Sequence, residues 1–273
     1  MIPDDELILK LASQQWTSHN LKLSDKITTM PGKPDFMETE TRLHAVTRLL
    51  DFFYGKGWKS LRVADLGCLE GGFSLALAQR GAEVVGIEAR AKNLEKCLLL
   101  REHFGLENLS FVKDDVKNFT RETYGEFDVI LALGILYHLD NPVEWLKQIA
   151  EASKRLLIID SHYAPDDDHG LRLMSPELSK NLGPLVTRKV NGLEYRGRWY
   201  EEYCGKEPWN SYREGFLWAS YSNTKSFWLT KESLLTSILN AGFGLFLEQH
   251  DGYGPLFNMY TKERSRAMFV AVK

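Results

Sequence analysis

Short apolar runs alternate with amphipathic stretches through the middle of this 273-residue chain. "LRVADLG" (61–67) is an apolar run ending in glycine, and "FSLALAQRG" (73–81) has helical spacing stopped by Gly81. "AEVVGIEA" (82–89) is a second buried strand, and "NLEKCLLLREHFGL" (93–106) is again helical. Further strands follow at "LSFVKDD" (109–115), "FDVILALG" (127–134) and "RLLIID" (155–160). Between the last two, "NPVEWLKQIAEAS" (141–153) predicts a helix with Asn141 as N-cap and Pro142 at its first position. Strand-helix alternation of this kind implies an α/β fold with a doubly wound, mainly parallel sheet. Near the end, "TKESLLTSILNAGF" (230–243) predicts a helix capped by Thr230. The strands "GLFLEQ" (244–249) and "AMFVAVK" (267–273) come next. With no long helix between them, they predict an antiparallel hairpin at the sheet edge, giving seven strands with an antiparallel last strand.

Two regions depart from this pattern. Residues 1–57 carry two predicted helices, about 4–15 and 37–55, joined by a loop containing "TTMPGKPDF". Residues 161–229 form a long insertion, about a third aromatic from Tyr195 to Trp228. The expected organisation is an N-terminal helical lid (1–57), a Rossmann-like core (58–160 and 230–273) and a substrate-facing insertion (161–229).

The candidate chemistry begins at "RVADLGCLEGGFS" (62–74). A glycine turn between strand and helix is a ligand site in open α/β sheets, and the amides opening the helix can receive an anion. From Gly67 the spacing is G-x-x-x-G-G, so the dinucleotide fingerprint G-x-G-x-x-G fails. Asp65 precedes the turn, ill placed for a pyrophosphate and well placed for an ammonium. Glu88 ends the second strand, where a carboxylate can accept both ribose hydroxyls. Asp114 and Asp115 end the third, where a carboxylate can accept from an adenine amino group. Amino-acid end, ribose and adenine without phosphate is the inventory of S-adenosylmethionine.

These residues resemble the class I S-adenosylmethionine-dependent methyltransferases. The first family motif, [DE]-x-G-x-G-x-G, is matched by Asp65, Gly67 and Gly71, with Leu69 in place of the central glycine. The resemblance implies a cofactor set of Asp65, Gly67, Cys68, Leu69, Gly71, Glu88, Ala89, Asp114, Asp115, Val116 and Leu133, with S-adenosylhomocysteine as product. It covers roughly residues 60–160 plus the closing hairpin. "LYHLDNP", "WTSHNLKLSDKITTMPG" and "SFWLT" also resemble bacterial methyltransferases related to tRNA wobble-uridine carboxymethyltransferases.

Methyl transfer needs a base only when the acceptor must lose a proton. His162 and His138 are the candidate bases, with His162 preferred; a hydrogen-bonded structural histidine is the alternative for each. His19, Tyr137, Arg198, Trp199, Tyr200, Asn223 and Trp228 are the candidate substrate contacts. The loop "DSHYAPDDDHG" (160–170) could offer oxygens to a hard cation, but acidic loops are usually solvated, and no metal is expected.

Bulk properties narrow the partners. Hydrophobic content is 44% and charged content 26%, as in ordinary globular proteins. A net charge of −3 argues against a dedicated nucleic-acid surface and favours a small-molecule acceptor. Arg188, Lys189, Arg196 and Arg198 leave tRNA modification as the alternative; a nicotinamide oxidoreductase, or a cofactor-binding subunit without catalysis, ranks lower. The three scattered cysteines suggest neither a disulfide framework nor zinc. An acidic start and the lack of a long apolar run predict a cytoplasmic protein without a membrane span. No residue pattern selects an oligomeric state.

Overall fold

Every strand expected around the glycine turn forms, within one or two residues of the limits set by the apolar pattern. The computed structural model describes residues 2–205, 208–256 and 259–273. They fall into two units, Met1–Val116 and Lys117–Lys273.

In the first unit, helices α1 (Asp4–Ala12) and α2 (Thr41–Tyr54) precede β1 (Arg62–Leu66), α3 (Gly72–Gln79), β2 (Glu83–Glu88), α4 (Ala91–Phe104) and β3 (Leu109–Lys113). The strands run parallel in the order β3-β2-β1. Their register sets Asp65 opposite Gly86 and Glu88 opposite Lys113, which fixes the heights of both acids. Gly86 admits the Phe111 ring, since a Cβ there would lie 2.5 Å from Phe111 Cδ1. The helices close over β1 and β2 with fully buried Leu77, Cys97 and Leu100, each apolar side chain of leucine size contributing about 1.5–3 kcal/mol.

The second unit holds α5 (Arg121–Tyr124), β4 (Phe127–Leu133), α6 (Pro142–Ala152), β5 (Ser153–His162), α7 (Asp168–Leu173) and α8 (Pro176–Ser179). Then come β6 (Leu182–Val190), β7 (Leu193–Glu201), α9 (Trp209–Tyr212), β8 (Lys225–Leu229), α10 (Lys231–Asn240), β9 (Leu245–Gln249) and β10 (Arg266–Val272). Here the main strands run in the order β4-β5-β10-β9. β4 and β5 are parallel; β10 is antiparallel to both of its neighbours, the closing hairpin predicted above. The two units together supply seven mainly parallel strands flanked by helices, a doubly wound α/β arrangement.

Two details differ from the sequence expectation, and one agrees. Asn141 does not cap α6: its side-chain amide donates to the Glu144 carboxylate instead, and Pro142 alone begins the helix. Thr230 does cap α10, accepting from the Ser233 N–H at 3.3 Å. The insertion is ordered by a three-stranded antiparallel sheet, β6-β7-β8, that the pattern did not reveal. Its hairpin turns at Asn191 and Gly192, both with positive φ (51° and 83°), the combination a two-residue type I′ turn requires.

Candidate functional site

The glycine turn of the first unit is built by positive-φ residues. Gly67 and Gly71 have φ of 70° and 76°, and Leu69, in the central glycine's place, has φ of 55°. A leucine is strained there, and its N–H is held by Glu88 Oε2 at 3.0 Å. The Gly67 and Cys68 N–H groups both donate to the Ile87 carbonyl at 2.9 and 3.0 Å, closing the turn onto β2. Gly71 admits Phe111 and Cys97, which a Cβ would meet at 2.9 and 3.1 Å.

Two buried acids flank this turn. Asp65 accepts from the Ser74 hydroxyl at 2.6 Å, and burial pushes its pKa up to about 6 despite that bond. Glu88 accepts from Arg90 N–H at 2.8 Å and from Leu69, yet burial pushes it up to about 7. A carboxylate has about four acceptor positions, so Glu88 keeps capacity for a further donor beside Arg90, Leu69 and the Asn93 side chain. A cation beside Asp65 and a hydroxyl donor at Glu88 would each relieve this desolvation. That donor set fits the ammonium and ribose ends of S-adenosylmethionine.

The remaining expected cofactor residues occupy the same strand ends or the next. Asp114 N–H donates to the Glu88 carbonyl at 3.2 Å, and Asp114 Oδ1 accepts from Asp115 N–H at 2.8 Å. Ala89 is half-buried beside Glu88; Val116 is buried and opens a short 3-10 turn. Cys68 is buried with its Sγ 4.0 Å from that of Cys97, and burial pushes both thiols up. Leu133 ends β4 in the second unit.

His19, expected at the substrate, sits on the glycine turn. Its Nδ1 accepts from the Gly72 N–H at 3.0 Å, at the opening of α3. A pyrophosphate seated on that helix end would have to displace an imidazole of the chain itself. Burial lowers the His19 pKa to about 4, so the ring is neutral at pH 7. The segment carrying it is tied down by Glu70, which sequence reasoning had not placed in the site. Glu70 accepts from Thr17 N–H and Oγ1, Ser18 N–H and His19 N–H at 2.7–3.1 Å, and from Lys96 Nζ at 2.9 Å. Burial opposes its charge, but Lys96 and the backbone donors hold its carboxyl below the usual range. An acid inside a tight glycine turn was the one available signal.

In the second unit, Tyr137 and His138 lie in the turn after β4. His138 Nδ1 is 2.8 Å from Glu202 Oε1. Glu202 also accepts from Ser226 Oγ at 2.6 Å and Ser220 N–H at 3.2 Å. Burial alone would push Glu202 up; His138, Ser226 and Ser220 together hold it below the usual carboxylate range. Nothing in the run "WYEEY" distinguished Glu202 from Glu201, so this partner was missed.

His162 is placed differently. Its ring stacks on Trp228 at 4.9 Å, and Tyr200 stacks on Trp228 at 4.6 Å. Tyr137 meets His162 edge-on at 4.6 Å. Nδ1 lies 2.7 Å from the Arg264 carbonyl and must donate to it; burial and Arg266 lower the ring's pKa to about 3. A base with so low a pKa takes up a proton poorly at neutral pH.

Asn223 donates to the carbonyls of His138 and Lys225 at 3.0 and 2.8 Å. With Trp199 it lines an open cavity of about 920 Å³, whose other walls include Asn181, Trp209 and Lys225. Arg198 is 2% exposed and binds the carbonyls of Pro165, Gly183 and Asp167 at 2.9–3.3 Å. It clamps the loop after β5, and in the β7–β8 register it stands opposite Trp228. Among the described residues no group of three His, Cys, Asp or Glu side chains could hold a metal, and no helix is long and apolar enough to cross a membrane.

A family model described as "Methyltransferase domain" matches residues 58–195. A ubiquinone biosynthesis O-methyltransferase of Dinoroseobacter shibae is 32% identical over 243 residues, 85% of this chain and 81% of that protein. The O-antigen chain terminator bifunctional methyltransferase/kinase WbdD of Escherichia coli is 28% identical over 153 residues, 50% of this chain; the chain spans only 21% of that protein's length. In fold, the chain is similar to the N-terminal domain of EvdMO1, solved with SAH bound. The TM-score is 0.69 at 21% identity, covering 100% of this chain and 96% of that one.

Proposed function

The chain belongs to the class I S-adenosylmethionine-dependent methyltransferases, and from that premise we propose that it methylates a hydroxyl oxygen of a small-molecule acceptor. The observation that carries the choice of acceptor atom is the His138–Glu202 pair. A hydroxyl must shed a proton as it is alkylated. With Nδ1–H donated to Glu202, the other ring nitrogen of His138, Nε2, is the proton acceptor, and the buried carboxylate stabilises the imidazolium that forms.

When bound, S-adenosylmethionine supplies a methyl group made electrophilic by its sulfonium and leaves as S-adenosylhomocysteine. Asp65 neutralises the ammonium, Glu88 accepts from the ribose, and Asp114 or Asp115 accepts from the adenine. His138 takes the acceptor's proton; His162 instead holds Trp228 and Tyr137 in place. Trp199 and Asn223 line the acceptor's cavity, and Arg198 shapes the loop beside it. The lid, core and insertion assigned above are the working division of labour, and we place the enzyme in the cytoplasm.

The tRNA reading draws on Arg188, Lys189, Arg196 and Arg198. Three of these four already bind backbone carbonyls, those of Asp140, Asp166 and Pro165 among them, which favours the small molecule. Steep salt dependence of tRNA binding would reverse that preference. The direct test is methyl incorporation from labelled S-adenosylmethionine into a panel of phenols, catechols and sugars. Incorporation into a hydroxyl that falls sharply in His138→Ala supports the proposal; incorporation only into tRNA contradicts it.

A further inference from the structure

The bond from Gly72 N–H to His19 Nδ1 fixes more than the position of a side chain. A nitrogen that accepts cannot carry the proton, so the neutral ring must carry it on Nε2. Among the described residues Nε2–H meets no protein acceptor; the atom itself is not sealed from solvent, although His19 as a whole is only 7% exposed. The ring has little room to turn away. It packs against Gly72, where a Cβ would lie 2.9 Å from its Cγ and Nδ1, and meets Phe73 edge-on at 5.8 Å. Its backbone is held by Glu70, itself fully buried against Lys96.

The surroundings define the missing acceptor. His19 is bonded to the first residue of α3, and Asp65 is bonded through Ser74 to the third. One turn of helix therefore joins a carboxylate without a cation to a hydrogen-bond donor without an acceptor. The helix end adds a positive dipole on the donor's side. An α-amino acid carries the complementary pair, an ammonium and a carboxylate on one carbon.

The geometry points to His19 as the donor, through Nε2–H, to the carboxylate at the amino-acid end of the cofactor, with Glu70 as the residue that positions it. This rests on the cofactor reading given above. It moves His19 from the acceptor to the cofactor. It also explains the acid at position 70: Glu70 latches the 17–19 segment onto the turn so that His19 can plug the helix end. Selectivity follows, because the site distinguishes ligands by their amino-acid end.

The test compares calorimetric titrations of the full chain with S-adenosylhomocysteine and with 5′-methylthioadenosine, which lacks the amino-acid end. His19→Leu should weaken S-adenosylhomocysteine by about 10- to 100-fold, the loss of one charge-assisted hydrogen bond. Binding of 5′-methylthioadenosine should change less than about twofold on the same reasoning. His19→Gln can both accept from Gly72 and donate onward, and should recover most of the loss. Equal losses for the two ligands, or no loss for either, would overturn the assignment. Should His19→Leu fail to fold, the wild-type chain decides by nitrogen-15 NMR. The His19 ring is identified by its coupling to the Gly72 amide. A slowly exchanging Nε2 proton with S-adenosylhomocysteine but not with 5′-methylthioadenosine supports the assignment; the same signal with both overturns it. Failure of the wild type to bind S-adenosylhomocysteine at all would instead remove the cofactor reading itself.

Discussion

His138 and Glu202, 64 positions apart in the chain, share a 2.8 Å hydrogen bond between Nδ1 and Oε1. The carboxylate is 2% exposed and anchored on its other sides by Ser226 and Ser220. This fixes the imidazole's orientation and the tautomer that leaves Nε2 open. His138→Ala should lower kcat for a hydroxyl acceptor about 10²- to 10⁴-fold, the usual worth of a general base. Binding of S-adenosylhomocysteine should be unchanged. Glu202→Gln should lower kcat less than His138→Ala does. Single-turnover rates with an acceptor that needs no deprotonation, such as a carboxylate, serve as the control; an equal loss there would show a positioning role only.

The buried Glu70–Lys96 pair governs the stability of the first unit. Removing one partner strands the other's charge in the interior, so Glu70→Ala should cost about 3–5 kcal/mol. A denaturant titration checks this. A change below about 1 kcal/mol would mean that the pair is solvated in solution.

Cofactor affinity should depend on pH through Glu88 and Asp65, held by burial at about 7 and about 6 in the free chain. Both must be ionised to accept hydroxyl and ammonium donors. Affinity for S-adenosylhomocysteine should therefore be highest above pH 7 and fall as pH drops through 7 and then 6, with proton release on binding at pH 6. Glu88→Gln should remove the upper step. In the free chain the linkage has the opposite sense. A folded pKa above the ordinary carboxylate value of about 4 gives stability that is full below that pH and lost as pH rises through 6 and 7. His19 and His162, lowered to about 4 and about 3, contribute stability that is present above about 6.5 and lost as pH falls. Calorimetry in buffers of different ionisation enthalpy separates the two acids from the two histidines.

Trp228 is the centre of the stack between His162 and Tyr200 and is 1% exposed. Trp228→Ala should destabilise the chain by about 3–5 kcal/mol through cavity formation. Thermal unfolding measures it. Full stability with activity lost would make Trp228 a substrate contact.

The α/β alternation was legible because buried parallel strands are short, nearly continuous apolar runs bounded by turn residues. Asp65 and Glu88 were legible for a related reason: each is an acid at the end of such a run, where only a ligand or a paired partner justifies burial. His19 was seen and assigned to the acceptor; its bond to Gly72, across 53 positions, was not legible in the sequence. Glu202 was invisible among neighbouring acids, since its value comes from residues up to 64 positions away. The β6-β7 hairpin was overlooked although Asn191-Gly192 announces it; the aromatic content of the insertion drew the reading towards a pocket instead of a sheet. Arg198 looked like a polar tip for substrate, yet from β7 its donors bind the carbonyls of Pro165 and Asp167 after β5 and of Gly183 in β6.

The measurement closest to the central claim is a calorimetric titration of the chain with S-adenosylhomocysteine and with NADH, repeated on Glu88→Ala. The account predicts binding of S-adenosylhomocysteine, weakened about 10- to 150-fold in the variant, and none of NADH. Binding of NADH, or a Glu88→Ala variant that holds S-adenosylhomocysteine as tightly as the wild type, would contradict it.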